Sequence, residues 1–469
     1  MHATEALFEA LREVADPTAV EAIEALVRQG ADEDLAQINA MSLAEASGTN
    51  PGRTLGALVH AARIGLLELS WNILCPSCRG ILAAKAALGN LRNETYRCAF
   101  CAIDAEPVLD DTVEVSFSVS PRVRRISAHD PDSLGFWDYL RQVFFSTGLV
   151  LTAPGVFREA LGRLTVRTAE VGPGADLDLE LALEPGLLIV FDPVTHTARF
   201  IHVDGPSATE PQATAMVFGP ARSSISEATL RPGALRLTLS NRSAGRVLPG
   251  VFAGGPALLE LLHARRPSVT GAGLLSNQTF REIYKADTLD IDEGLKVLHL
   301  TFLFTDLRGS TALYESIGDF AAYDLVRAHF RVLGEIIDAE GGAVVKTIGD
   351  AIMATFTSPG GAVAASLRMR EAMGRLNAGR PGESLILKIG IHSGPCLSVN
   401  SNERQDYFGR TVNIASRVQE LATADGILLA GPAIEDAATR RLLEARGIPV
   451  EPRERRLRGI DGAVPVLEI

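Results

Sequence analysis

The sequence lacks long hydrophobic runs, an excess of positive charge and a large number of cysteines. No run of about 18 or more apolar residues occurs, so the sequence predicts no transmembrane helix and no membrane insertion. The N-terminus carries acidic residues early and has no apolar segment of the kind found in signal peptides, which favours a cytoplasmic location. The net charge of −12 disfavours binding of a polyanion by the chain as a whole.

Four of the five cysteines form two Cys-x-x-Cys pairs separated by 19 residues. Each such turn can direct two thiolates at one ion, and two turns make a tetrahedral site. The pattern predicts a zinc ribbon over residues 75–109 with a structural Zn²⁺; the alternatives are four reduced cysteines or a redox pair. The predicted ligands are Cys75, Cys78, Cys98 and Cys101. Cys396 stands alone and is interpreted as a small buried hydrophobic residue.

Residues 1–74 show apolar residues at helical spacing, with a Ser-Gly-Thr-Asn-Pro-Gly turn at 47–52 between two predicted helices. This layout fits a winged-helix-like domain or a small helical docking domain. A zinc ribbon beside a winged helix would suggest nucleic acid. Residues 1–100, however, hold 8 Lys and Arg against 12 Asp and Glu, a balance of 8 − 12 = −4. A nucleic-acid module needs a basic face, so a docking or sensor module for a regulatory protein or ligand is favoured.

The middle of the chain, residues 110–255, has short alternating segments separated by Gly, Pro and Asp, which predict a β-rich domain built as a β-sandwich. One helical segment within it carries an aromatic cluster interpreted as core rather than as a ligand cage. Its members are Phe136, Trp137, Tyr139, Phe144 and Phe145. Residues 256–292 are expected to form a helical connector.

From residue 293 to 469 the pattern alternates between strands and helices and predicts an α+β domain with one open sheet. A predicted strand ends at Asp306, and Asp350 lies at the tip of a predicted hairpin. Strand end and hairpin tip can bring the two carboxylates close together, where they repel each other unless a cation lies between them. Oxygen ligands of this kind suit Mg²⁺ or Mn²⁺. Taken singly, the two aspartates could instead be a helix cap and a turn residue.

This domain resembles the class III nucleotidyl cyclase catalytic domain, over about residues 293–469. The resemblance rests on four motifs in the order typical of that family: FTDLRGST, KTIGDAIMATF, GIHSGP and DYFGRTVNIASRVQ. It implies a ferredoxin-like cyclase homology domain and assigns roles to matching positions. Two Mg²⁺ or Mn²⁺ ions per active site would be held by Asp306 and Asp350, with Leu307 beside them. The terminal phosphates would lie against Leu307, Gly309, Ser310 and Thr311.

The same resemblance assigns Lys346 and Asp406 to selection of the base, and Asn413 and Arg417 to the ribose and the transition state. Lys346 can donate to adenine N1 and Asp406 can accept from adenine N6, which favours ATP over GTP. The implied reaction forms 3′,5′-cyclic AMP and pyrophosphate. Because metal-binding and base-binding residues of one site come from opposite chains in this family, a homodimer is implied. A guanylate or relaxed-specificity cyclase and a silent nucleotide-binding adaptor stay open as alternatives.

Overall fold

The computed structural model describes residues 2–153, 155–220, 223–308, 315, 317–378, 385–423 and 425–469. The chain divides into two compact units, which are described separately. The N-terminal unit comprises Met1–Ala87, Asn93–Pro107 and Thr112–Val269, and the C-terminal unit comprises Leu88–Arg92, Val108–Asp111 and Thr270–Ile469. Within the described ranges, no helix combines the length and the apolar character needed to cross a membrane. The predicted boundaries at residues 74, 109, 255 and 292 stay predictions.

The N-terminal unit begins with a helical bundle. Its helices are α1 (His2–Val14), α2 (Pro17–Gln29), α3 (Asp32–Leu35), α4 (Ala40–Ser47) and α5 (Pro51–Arg63). At the starts of α2, α4 and α5, backbone N–H groups donate hydrogen bonds to the side chains of Asp16, Asn39 and Asn50. These bonds satisfy donors that a helix start leaves unpaired.

The prediction that residues 1–74 are helical throughout is wrong for the last eight of them. Leu67–Leu74 forms strand β1, which pairs with β2 (Ile81–Lys85) and β5 (Val113–Val119). The helical run ends at Gly65, whose φ of +83° suits glycine, and the following residues pair with β5 along their whole length. A second hairpin is formed by β3 (Tyr96–Cys98) and β4 (Ile103–Ala105). The choice between a winged-helix and a docking role stays open.

The β-rich region forms the predicted sandwich. Its strands are β6 (Thr165–Thr168), β7 (Asp176–Leu183), β8 (Gly186–Asp192), β9 (Thr197–Val203), β10 (Gln212–Phe218), β11 (Ile225–Leu230), β12 (Gly233–Asn241) and β13 (Gly250–Gly254). One sheet has the order β10-β12-β7 and the other the order β11-β9-β8-β13-β6. Buried residues of both sheets, such as Leu237 and Ile201, form one shared core.

Short helices and the aromatic cluster complete the N-terminal unit. The helices are α6 (Phe136–Tyr139), α7 (Phe157–Gly162) and α8 (Pro256–His263). The short strand β14 (Val269–Thr270) follows, and its first residue is the last residue of this unit. Phe136, Tyr139, Phe144 and Phe145 are buried and Trp137 is partly buried, in a core that also includes three of the paired cysteines. The interpretation of this cluster as core is confirmed.

The C-terminal unit is a single sheet with helices on both faces, the predicted α+β arrangement. Its strands are β15 (Gly294–Arg308), β16 (Gly342–Ile348), β17 (Ala351–Phe356), β18 (Ile386–Ser401), β19 (Arg404–Phe408), β20 (Ile427–Ala430), β21 (Arg453–Arg456) and β22 (Ala463–Glu468). The sheet order is β16-β17-β15-β18-β20-β22-β21, with β19 paired to β18. Its helices are α9 (Gly271–Leu275), α10 (Gln278–Ile283), α11 (Asp319–Ala339), α12 (Pro359–Asn377), α13 (Arg410–Leu421), α14 (Pro432–Glu435) and α15 (Ala437–Ala445).

Alternation along the strands assigns the helices to the two faces. Ile427 and Leu429 belong to the core that contains buried residues of α11 and α12. Leu428 and Ala430 belong to a second core with α13. Helix α13 therefore packs on the face opposite to α11 and α12.

Candidate active site

Strand pairing brings the two predicted metal aspartates together. Asp306 lies near the end of β15, opposite Lys388 of β18, and Asp350 lies in the turn between β16 and β17. The Thr305 hydroxyl accepts a hydrogen bond of 3.0 Å from the N–H of Ile352. This bond connects β15, near its end, to the start of β17 just after that turn. The Asp350 carboxylate is close enough to raise the pKa of Asp306.

The electrostatics at these carboxylates fit a divalent cation. Burial raises the pKa of Asp306, and the Asp350 carboxylate raises it further, while Gln419 and Lys388 partly offset the effect. Asp350 Oδ2 is buried and makes no hydrogen bond to any part of the chain that the structure describes. A buried carboxylate oxygen without a donor beside a second carboxylate is the oxygen donor set that Mg²⁺ and Mn²⁺ prefer.

A buried histidine that the sequence did not single out lies within electrostatic reach of Asp350. His329 of α11 has no exposed surface, and burial lowers its pKa to about 4. The charge of Asp350 opposes this shift, so the two groups lie within electrostatic reach. The imidazole is therefore neutral at neutral pH and adds no positive charge beside the carboxylates.

The predicted base-selecting residues form an ion pair. Lys346 Nζ lies 2.5 Å from Asp406 Oδ2, although the residues stand on different strands, β16 and β19. Asp406 Oδ1 also accepts a hydrogen bond of 2.9 Å from the N–H of Tyr407, so each carboxylate oxygen of Asp406 has a donor. Asp406 is nearly buried, whereas the Lys346 side chain is 38% exposed.

Helix α13 places Asn413 and Arg417 one turn apart on the same helix face. The Arg417 side chain is partly exposed and pairs with Glu420 of the same helix. The helix approaches β18 closely at two glycines. A Cβ on Gly390 would lie 2.3 Å from Gln419 N, and one on Gly394 would lie 2.9 Å from Thr411 Oγ1.

The phosphate-binding positions are described only in part. Leu307 is buried on β15 and pairs with Leu387 of β18. Gly309, Ser310 and Thr311 lie outside the residues that the structure describes, so their predicted role stays a prediction.

The four paired cysteines come together in the N-terminal unit. Their sulfur atoms all lie within 4.8 Å of one another, and Cys78 Sγ is 3.7 Å from Cys98 Sγ. The cysteines are not joined by disulfides. Burial raises the pKa of the Cys78 thiol, which opposes its ionisation unless a cation is present.

Both cysteine pairs have the same local backbone form. The residue that follows each pair, Arg79 and Ala102, has a φ of 57° and 56°, and each pair lies at a hairpin tip. Two matched turns that direct four thiols at one point make a set able to hold a metal ion. Cys396 is buried in the C-terminal unit, and burial raises its pKa to about 12.

Sequence reasoning missed several residues that shape the site. Thr305 fixes the position of the hairpin, and Gln419 faces Asp306 from α13. Gly390 and Gly394 lie within the motif GIHSGP, and their four-residue spacing could have indicated a helix packed against the strand. Thr305 and Gln419 carry no local signal of this kind.

Comparison with known proteins agrees with this geometry. Residues 296–455 match the family described as the adenylate and guanylate cyclase catalytic domain. An adenylate cyclase of Anabaena cylindrica is 29% identical over 185 residues, which is 36% of this chain and 36% of the relative. Guanylate cyclase 32E of Drosophila melanogaster is 33% identical over 132 residues, 26% of this chain and 11% of the relative. The chain thus spans about a third of the Anabaena relative, and less of the Drosophila one.

Among solved structures, the adenylyl cyclase CyaB from P. aeruginosa is 26% identical. The similarity covers 38% of this chain and 95% of that one, with a TM-score of 0.33.

The C-terminal unit carries a class III nucleotidyl cyclase catalytic domain, as the four motifs predicted. The chain itself belongs to the family of unknown function DUF5939, whose model matches residues 1–282, more than half of its length.

Proposed function

We propose that the protein is an adenylate cyclase that converts ATP to 3′,5′-cyclic AMP and pyrophosphate. The observation that carries this proposal is the Lys346–Asp406 pair, which offers one donor and one acceptor side by side. The relatives include both adenylate and guanylate cyclases, so the base preference rests on these two side chains.

Recognition of adenine follows from the donors and acceptors of the pair. Lys346 donates to adenine N1, and Asp406 accepts from the N6 amino group. Guanine presents O6 and N1–H at these places, so in the same pose Asp406 would face a lone pair and Lys346 would face a donor. Each mismatch leaves polar groups without a hydrogen-bond partner, one at the largely buried Asp406 carboxylate and one at the Lys346 ammonium. This strongly disfavours binding of guanine.

The Asp306 and Asp350 carboxylates would hold two Mg²⁺ or Mn²⁺ ions per site. Ions bound there would lower the pKa of the ribose 3′-hydroxyl and neutralise charge on the phosphates. The buried Asp350 Oδ2 supports this assignment, because no donor among the described residues binds it.

The remaining residues orient the nucleotide for in-line transfer. The 3′-oxygen forms a bond to the α-phosphorus, the bond from that phosphorus to the bridging oxygen of the β-phosphate breaks, and pyrophosphate leaves. Asn413 orients the ribose, and Arg417 donates to the α-phosphoryl oxygens as their charge increases. Backbone and side chains at Leu307, Gly309, Ser310 and Thr311 hold the terminal phosphates.

We further propose that the active form is a homodimer, because the family takes the metal-binding and base-binding residues of one site from opposite chains. An exposed apolar pair supports this. Leu397 and Phe408 stand opposite each other on β18 and β19 and are 44% and 54% exposed. Ile348, near the hairpin tip, is 52% exposed. A second copy would cover these side chains.

The N-terminal unit is proposed as a regulatory or docking region with one structural Zn²⁺. Its support is the closed set of four sulfur ligands, which leaves no open position for catalysis. Four reduced cysteines holding zinc are consistent with a cytoplasmic protein.

The test is product formation by the purified full chain with ATP or GTP and with Mn²⁺ or Mg²⁺. Cyclic AMP from ATP, lost in Asp350→Ala but retained in Asp324→Ala, is the expected result, since Asp324 is an exposed aspartate of α11. Cyclic GMP as the main product would favour the guanylate alternative. Nucleotide binding without any cyclic product would favour the silent adaptor.

A further inference from the structure

Helix α10 is attached to the edge strand of the cyclase sheet. Strand β16 ends the sheet, so backbone groups on its outer side have no neighbouring strand. Two side chains of α10, three residues apart, bind the backbone N–H and the backbone carbonyl of one residue of this strand, Val344. Gln278 Oε1 accepts the N–H of Val344 at 2.9 Å, and Arg281 Nε donates to the carbonyl of the same residue at 3.1 Å. Side chains of α10 therefore satisfy backbone groups of Val344 that a neighbouring strand would otherwise bind.

The Arg281 guanidinium also reaches the two peptides that precede the base-selecting pair. Its Nη2 donates to the carbonyl of Val345 at 3.3 Å and to the carbonyl of Gln405 at 2.8 Å. Val345 is followed directly by Lys346, and Gln405 by Asp406. One rigid planar group thus links the two strands whose next side chains form the ion pair.

A β-bulge makes the direction of Lys346 sensitive to this contact. Across β16 and β17, Val344 pairs with Ala354 and Lys346 with Met353, so Val345 is an extra residue in β16. A bulge turns the following side chain to a new direction, and its backbone has fewer ladder bonds to hold it. Arg281 binds the carbonyls of Val344 and Val345, so it holds the bulge from outside.

At a second point, the connector also contacts β19, which carries Asp406, and its neighbour β18. The N–H of Leu289 donates to Gln405 Oε1 at 3.2 Å, and Asn400 Nδ2 donates to the carbonyl of Leu289 at 3.0 Å. Gln405 Nε2 in turn donates to Ser398 Oγ at 2.7 Å. Residues 278–289 are therefore bonded to both strands that carry the base-selecting residues.

We propose that Arg281 is the positioning residue that sets the separation and direction of Lys346 and Asp406, so that α10 controls purine recognition. Among the residues that the structure describes, the hydrogen bonds of Arg281 go to main-chain carbonyls, so it acts through the pair and not on the nucleotide. This inference rests on the proposed function, because it assumes that the pair binds the base. A shift of α10 would alter base discrimination before it altered phosphoryl transfer.

The experiment compares the full-length wild type with Arg281→Lys, which keeps the charge but loses the planar fork. Initial rates with ATP and with GTP give kcat and KM for each. We expect Arg281→Lys to raise KM for ATP about tenfold with a smaller change in kcat, and to reduce the ATP to GTP ratio of kcat/KM by a similar factor, as loss of hydrogen bonds to a charged group would do. Lys285→Met, an exposed cation just after α10, is the control and should leave the ratio unchanged.

A double mutant separates positioning from a general effect on stability. With Asp406→Asn already present, Arg281→Lys should add little to the loss of discrimination, because both changes act on one pair. An equal fall for ATP and GTP, or full additivity with Asp406→Asn, would overturn the proposal. If Arg281→Lys unfolds at a much lower temperature, Gln278→Leu takes its place, since it removes one contact of α10 with Val344.

A failure of the proposed cyclase activity can be distinguished from a failure of the role proposed for Arg281. If the wild type forms no cyclic nucleotide, binding of fluorescent ATP and GTP analogues decides the question. A preference for the adenine analogue that weakens in Arg281→Lys supports the role of Arg281. A preference that is absent in the wild type, or unchanged in the variant, overturns it.

Discussion

Gly390→Ala should disable the proposed reaction by moving a helix that carries two of its residues. Gly390 lies on β18, where α13 crosses the strand at the backbone of Gln419. A Cβ at this position would lie 2.3 Å from Gln419 N and 2.6 Å from Gln419 Cα. Backbone atoms cannot rotate away as a side chain can, so the helix as a whole must shift.

The size of the shift follows from the contact distance. Moving Gln419 N from 2.3 Å to the 3.4 Å of an ordinary contact displaces α13 by about 1.1 Å. Asn413 and Arg417 move with the helix. A misplacement of about 1 Å can cost about 100-fold in rate, and overpacking of this kind costs about 1–3 kcal/mol in the free energy of unfolding.

The assay is steady-state cyclisation of ATP, with thermal unfolding of the same samples. We expect kcat to fall about 100-fold, and KM for ATP to change much less because Lys346 and Asp406 stand on other elements. Gly334→Ala is the matched control and should retain activity. Among the described residues, nothing beyond the chain neighbours of Gly334 and the backbone of its own helix lies within 4 Å of a Cβ at this position. A Gly390→Ala variant that is folded and has the kcat of the wild type would refute the reasoning.

Three further predictions concern the cysteines, the base and acid stability. Cys98→Ser should reduce bound zinc from about one per chain to near zero, as measured by mass spectrometry, whereas Cys396→Ser should leave it unchanged. Lys346→Glu combined with Asp406→Ser should lower kcat/KM for ATP about 100-fold or more and favour GTP, and an unchanged preference would contradict the assignment of the pair. Burial lowers the pKa of His329 to about 4 from 6.5, so its contribution to stability is complete above pH 6.5 and is lost as the pH falls towards 4. Between pH 7 and pH 4 the free energy of unfolding, measured by urea denaturation, should therefore fall in both proteins, but by up to about 3 kcal/mol less in His329→Leu than in the wild type. An identical fall would show that another group is responsible.

Much of the candidate site could be predicted because it depends on local patterns. An apolar strand that leads to Asp306 and a hairpin with Asp350 at its tip are short-range features, and the pairing of β15 with β17 brings them together. The predicted strand end at Asp306 is two residues too early, because β15 continues to Arg308 in its pairing with β18. The two cysteine pairs were equally clear, because Cys-x-x-Cys spacing and a hairpin tip are encoded within a few residues.

Other features could not be predicted because they depend on distant partners. Strands β10 and β11 carry few large apolar residues and pair in parallel with β12 and β9, so neither hairpin spacing nor strong alternation marks them. Arg281 resembles any partly exposed helical arginine in the sequence, and its role depends on carbonyls up to 124 residues away. The sequence does not predict the strand at 67–74, because its partner β5 lies 40 to 52 residues further along the chain.

Given the role in base selection proposed for Lys346 and Asp406, their ion pair also limits how base specificity can change during evolution. Asp406 is nearly buried, so replacing Lys346 alone would leave a carboxylate without its counter-ion, which is strongly destabilising. Replacing Asp406 first leaves the charge on Lys346, whose side chain is 38% exposed and can reach water. A lineage that moves from ATP to GTP would therefore tend to lose the aspartate before the lysine, and enzymes of relaxed specificity should carry that intermediate combination.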